Sequence, residues 1–130
     1  MRWVVDASCV VAYLLGEGSE VERGAMLGDV HAPGLLDVEV TQTLRGLLRG
    51  SALDLATAEL ARVELAQLSV RRHPDARLLR RAWELHDVCT TYDALYVALT
   101  EALDATMLTR DARLARGVEG LIAVVVPSVT

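Results

Sequence analysis

Four acids carry the chemistry this sequence offers. Asp6 closes the apolar run Trp3-Val4-Val5, Glu39 stands inside an amphipathic stretch, Asp93 follows Thr90-Thr91-Tyr92, and Asp111 follows Thr109-Arg110. Capping and the helix dipole favour an acid at the start of any helix, which covers Asp6, Asp93 and Asp111 one at a time. They do not account for three of them converging on the carboxyl edge of one parallel sheet, where ligands of such folds bind. Glu39 lies inside a helix and has no capping role. Carboxylates gathered in this way repel, and their pKa values rise unless a cation sits among them. Oxygen-only ligands suit Mg²⁺ or Mn²⁺ rather than zinc, and His31, His73 and His86 are scattered without zinc-site spacing. Such a site binds a phosphodiester, lowers the pKa of a bound water for attack on phosphorus and stabilises the leaving oxyanion, with no protein nucleophile. Ser8 and Thr109 are placed to hold a carboxylate or phosphate oxygen through their hydroxyls, or to cap the helices that follow. Arg110 and Arg113 flank the fourth acid and are expected to meet the phosphate of such a substrate, because guanidinium forks match phosphate oxygens.

The elements that position these residues read in order. Arg2 to Asp6 is a short buried strand ending in an acid, and Ser8 to Leu15 is an apolar helix broken by Gly16-Glu17-Gly18. Ser19 caps a second helix to about Leu27, and Val30 to Pro33 is a strand. Leu36, Val40, Leu44, Leu47 and Leu48 recur at helical spacing up to Gly50, and another helix runs from Asp54 to about Leu68. A strand is expected over Leu68 to Arg72, stopped by His73-Pro74, with Asp75 capping a helix to about His86. Thr90 to Asp93 opens a strongly apolar helix through Leu103. Ala105 to Leu108 is a strand, Arg110 to Arg116 a short helix ended by Gly117, and Ile122 to Val126 the last strand. Strands alternating with helices call for an α/β sandwich around a short, mostly parallel sheet, in one domain spanning residues 1–130.

The chain has 130 residues, 52% of them hydrophobic, enough for a core without staples. Phe, Lys and Asn are absent, so Leu, Val and Ala build that core and every Lys/Arg-type cation is Arg. The net charge of -5 removes any global attraction to a polyanion, so nucleic-acid binding has to be local. Cys9 and Cys89 sit in apolar stretches and are expected to be buried thiols. No signal peptide or membrane span is legible, which leads to a cytoplasmic expectation. A P-loop, a GxGxxG fingerprint and a nucleophile elbow are all missing.

The motifs carry a resemblance as well. Trp3-Val-Val-Asp6-Ala-Ser8, Ala32-Pro-Gly-Leu-Leu-Asp-Val-Glu39-Val, Thr91-Tyr-Asp93-Ala-Leu-Tyr-Val-Ala-Leu and Leu108-Thr-Arg-Asp111-Ala-Arg-Leu resemble the four motifs of the PIN domain, in the family's order. With this length the chain resembles the VapC-type toxins. That resemblance implies a PIN-like sandwich and a Mg²⁺- or Mn²⁺-dependent endoribonuclease, usually dimeric, that cuts cellular RNA and is blocked by a small VapB-type antitoxin filling its groove. It makes Asp6 and Asp93 the principal metal ligands, completed by Glu39 and Asp111. Gln42 stands where many relatives carry Asn, and nearby Asp37 competes with Glu39 as the second acid. Other readings of the same acids are a catalytically silent metal- or partner-binding module and a DNA nuclease. A receiver-like phosphate sensor is disfavoured by the missing Lys.

Overall fold

A computed structural model describes residues 1–128. Five strands, β1 (Arg2–Val5), β2 (Asp29–Pro33), β3 (Arg71–His73), β4 (Thr106–Leu108) and β5 (Ala123–Val125), form one sheet in the order β3-β2-β1-β4-β5. Every pairing is parallel, with Val4 opposite both His31 and Met107. Parallel strands need crossovers, and helices supply them: α1 (Ala7–Leu14), α2 (Glu20–Met26), α3 (Leu35–Arg49), α4 (Leu55–Gln67), α5 (Leu79–Glu84), α6 (Thr91–Leu103) and α7 (Ala112–Val118).

The core fills both faces of the sheet. Val4, Val5, Ala32, Met107 and Leu108 are fully buried, as the uninterrupted apolar strands require. Helix α6 is the most enclosed helix, with all seven residues from Ala94 to Thr100 buried, the pattern of a helix packed on every side. The chain fills one half of the sheet from β1 outward, then crosses back to place β4 on the other side of β1. That reversal opens a crevice at the carboxyl ends of β1 and β4, where an open α/β sheet binds its ligands. No helix among the described residues is long and apolar enough to cross a membrane.

The structure corrects four local expectations. The third strand lies at Arg71–His73, not Leu68 to Arg72, because Arg72 donates to the carbonyls of Leu65, Leu68 and Val70 and so folds that stretch into a loop. The helix expected from Asp75 to His86 breaks into a 3₁₀ turn at Asp75–Arg77 and the short α5. Asp75 caps a different helix. Its Oδ1 accepts from the Leu35 N–H at 3.1 Å, serving α3, whose own N-cap, Gly34, has no side chain. Cys89 is only half-buried, whereas Cys9 is enclosed.

Candidate active site

The crevice holds a pocket of about 360 Å³ lined by Asp6, Ser8, Glu39, Asp93, Tyr96, Arg110 and Asp111. Four acids separated by up to 105 residues thus share one wall.

Asp6 is the N-cap of α1, where Oδ1 accepts from the Cys9 N–H at 3.3 Å. The same oxygen accepts from the Ser8 hydroxyl at 2.5 Å, and the Thr109 hydroxyl donates to Oδ2. Thr109 is fully buried at the end of β4, and its Oγ1 also accepts from the Asp111 N–H at 3.0 Å. One hydroxyl therefore joins the first acid to the backbone of the fourth. Ser8 does similar work, its Oγ accepting from the Arg110 N–H at 3.3 Å. The two hydroxyls that the sequence left between capping and carboxylate support do the second.

Asp111 caps α7, with Oδ1 accepting from the Leu114 N–H at 3.0 Å. Asp93 sits in the first turn of α6, which Thr90 caps, and the Thr90 hydroxyl beside it opposes the rise of its carboxyl. Glu39 projects from α3 and accepts from the Tyr96 hydroxyl at 2.6 Å. Asp37 is held elsewhere. Arg72 grips both of its oxygens at 3.0 and 3.2 Å, so of the two candidate acids on α3 it is Glu39 that lines the pocket.

The electrostatics follow from the crowding. Burial pushes the Asp6 carboxyl up despite its three donors. Burial raises Glu39 too, and the charges of Asp93, Asp6 and Asp75 add to it while the Tyr96 hydrogen bond opposes. Asp93 is raised by burial, then by Asp111 and Asp6. The four carboxyls line one pocket and act on one another through their charge. Hard oxygen donors under mutual repulsion fit a divalent cation in kind. Among the described residues, however, no three His, Cys, Asp or Glu side chains stand close enough to hold a metal ion as placed, so the carboxylates must draw inward to bind one.

Arg110 is engaged more deeply than expected. Its Nε and Nη2 donate to both oxygens of Glu22 at 2.7 Å, and Nη2 also reaches the Glu17 carbonyl at 3.2 Å. Glu22 is fully buried on α2, and its Oε1 also takes the Ser19 N–H of a capping box. Among the described residues only Nη1 of Arg110 is without a partner. Arg113, by contrast, is exposed on the next cavity round the rim. Sequence reasoning missed Glu22, Tyr96 and Asp75. The Ser19-x-x-Glu22 capping box was visible, but nothing in the spacing joins Glu22 to an arginine 88 residues away.

A parallel sheet of this order with an acidic crevice at its switch point matches a described family: the PIN domain model matches residues 3–119, and the chain belongs to that family. Within it the chain is of the VapC type. It is 42% identical over 116 residues to Ribonuclease VapC1 of Mycobacterium tuberculosis, covering 86% of this chain and 87% of the relative. The fold is similar to that of PAE2754 from Pyrobaculum aerophilum, with TM-score 0.68, 23% identity and 95% and 83% of the two chains covered. It is also similar to VapBC2 from Rickettsia felis bound to a DNA fragment from their promoter, with TM-score 0.70, 11% identity and 98% and 100% covered.

Proposed function

We propose that this chain is a metal-dependent endoribonuclease, the toxin of a type II toxin-antitoxin pair, acting on cytoplasmic RNA as a homodimer and silenced by a small VapB-type antitoxin. The observation that carries the reading is the single pocket lined by Asp6, Glu39, Asp93 and Asp111, where burial raises the carboxyls of the first three and neighbouring carboxylates raise Glu39 and Asp93 further. The names of the relatives support it: VapC1 is called a ribonuclease, and VapBC2 pairs a VapC with its VapB on DNA.

In this reading Asp6 and Asp93 hold Mg²⁺ or Mn²⁺, with Glu39 and Asp111 completing the set. A bound divalent cation supplies Lewis-acid activation of water and neutralises charge developing on the phosphate. The chain's own residues do the rest. Ser8 and Thr109 fix the Asp6 carboxylate, Tyr96 fixes Glu39, and Arg113 meets the phosphate backbone from the rim.

The test is direct. The chain free of antitoxin degrades RNA with added Mn²⁺ or Mg²⁺, stops with EDTA, and loses the activity in Asp93→Asn while circular dichroism shows the fold intact. Cleavage that persists in that variant refutes the reading, and DNA cut in preference to RNA corrects the substrate class.

A further inference from the structure

An RNA strand that presents one phosphodiester to the acids must lodge its next nucleotide somewhere, and the sides of the acidic pocket are unequal. Toward α2, Arg110 is bound to Glu22 and to the Glu17 carbonyl. Toward α3, Tyr96 and Glu39 are bonded to each other, with the charge of Asp75 close enough to act on Glu39. Toward α6 and α7 the surface continues past Asp93 and Asp111 into a second cavity of about 470 Å³. That volume is within the ~300–1,000 Å³ of small-ligand sites. Val88 and Leu114 give it apolar wall, Thr90 a hydroxyl, and Arg113 a cation. Thr90 Oγ1 accepts from the Asp93 N–H, and among the described residues the Arg113 guanidinium is in no ion pair.

Building on the ribonuclease reading, we propose that this cavity seats the nucleotide next to the scissile phosphate. The base lies against Val88 and Leu114, Thr90 hydrogen-bonds it, and Arg113 holds the phosphate beyond. Unstacked bases of single-stranded RNA are recognised in this way, by an apolar surface for the ring face and polar groups for its edge. The cavity then sets the base preference of cleavage, while the acids, which touch only phosphate, set none.

Gly117 gives a clean probe. It lines the cavity from α7, and a Cβ added there meets no atom within 4 Å. Gly117→Leu adds a side chain at the cavity wall from a Cβ position that is open, and Leu is the better helix former. The expected result is a KM for short RNA raised about tenfold with kcat within about twofold, and a weakened preference at one base flanking the cut. A second readout does not depend on cleavage. Cys89 lines the same cavity while Cys9 is buried, so N-ethylmaleimide reports on Cys89. With Mg²⁺ present, at least one of the four ribonucleoside 5′-monophosphates at a few times its Kd should slow that modification about fivefold. The same nucleotide should lose its effect in Gly117→Leu.

The proposal is overturned if all four nucleotides leave the modification rate unchanged, or if Gly117→Leu keeps the wild-type KM and base preference. Protection by an arginine-bearing peptide but by no nucleotide also overturns it, and gives the cavity to a protein partner. Should nucleotides protect Cys89 while the wild-type chain cuts no RNA, the nucleotide site stands and the ribonuclease reading fails. RNA cleavage without protection is the reverse case.

Discussion

Replacing Arg110 with Gln removes the counter-charge of Glu22, and the cost can be worked from two directions. The Glu22 side chain is wholly buried while that of Arg110 is 28% exposed, so the variant strands an anion that water cannot reach. Breaking a buried pair from one side costs about 3–5 kcal/mol. The proton equilibrium gives a similar figure. Burial alone would raise the Glu22 carboxyl, but the hydrogen bonds from Arg110 and Ser19 bring it down from 4.5 to about 2. At about 1.4 kcal/mol per decade the whole drop is worth ~3 kcal/mol, and Arg110 is the largest of the groups that produce it, ahead of Ser19 and Cys9. A loss of this size is a large part of the ~5–15 kcal/mol that holds a domain together and corresponds to a fall in Tm of about 10–15 °C. Urea unfolding at pH 7 measures it. Glu22→Gln should cost less, because the cation it leaves behind reaches solvent, and the double variant should recover much of what Arg110→Gln loses. The sign with pH is fixed. A depressed carboxylate stabilises fully above its unfolded value and loses that contribution as pH falls from about 4.5 toward 2. The gap between wild type and Arg110→Gln should therefore close over that range. A loss below ~1 kcal/mol at pH 7, or equal losses from the two single variants, would show that the pair is not what anchors α2 to the fourth motif.

Two further outcomes are expected. Asp6, Glu39 and Asp93 are all raised, so in the metal-free chain each is destabilising once ionised, and stability falls as pH climbs through their values. Mn²⁺ should raise Tm at pH 7 and raise it less at pH 5. No response of Tm to Mn²⁺ at either pH would deny the crowding of charges. On α3, Asp37→Asn should lose no more than ~1 kcal/mol with its partly exposed Arg72 pair and leave RNA cleavage unchanged. Glu39→Gln should cut kcat about a hundredfold or more. Equal effects on cleavage would return Asp37 to contention.

How much was legible follows from how local each signal is. The apolar run of β1, the caps at Ser19 and Asp54 and the enclosed α6 are written in neighbouring residues, and the helices and strands at those places stand within a residue or two of expectation. The placement of three acids at the sheet edge was also readable, since strand ends and helix starts are local while the parallel rule is general. Interactions between residues far apart were not. The capping of α3 by Asp75 joins positions 40 residues apart, the Glu22–Arg110 pair 88, and the Tyr96–Glu39 bond 57. In each case the sequence shows a common residue with an ordinary surface role, and only the packing of elements gives it a partner. The β3 register failed for the same reason. Arg72 binds carbonyls of its own loop, and no β-propensity registers that competition.

The four acids are not equivalent, and the difference lies in how many donors each has. Both oxygens of Asp6 are occupied, by Ser8 and Cys9 of α1 and by Thr109 just past β4, so it cannot turn without breaking the bonds that tie the ends of β1 and β4 together. Glu39 and Asp111 each give one oxygen to a partner and keep one free. Asp93 has only the Thr90 hydroxyl beside it, in the first turn of the most enclosed helix. Among the described residues this grades the set from a fixed anchor to the least engaged carboxylate. On the proposed reading Asp6 would hold a cation from where the fold has already placed it, and Asp93 would turn toward it with the fewest bonds to break. The acid with the least structural duty is the one whose replacement can be charged to chemistry rather than to folding, which is why Asp93→Asn is the decisive variant and Asp6→Asn, which disturbs the Ser8 and Thr109 hydroxyls as well, is not.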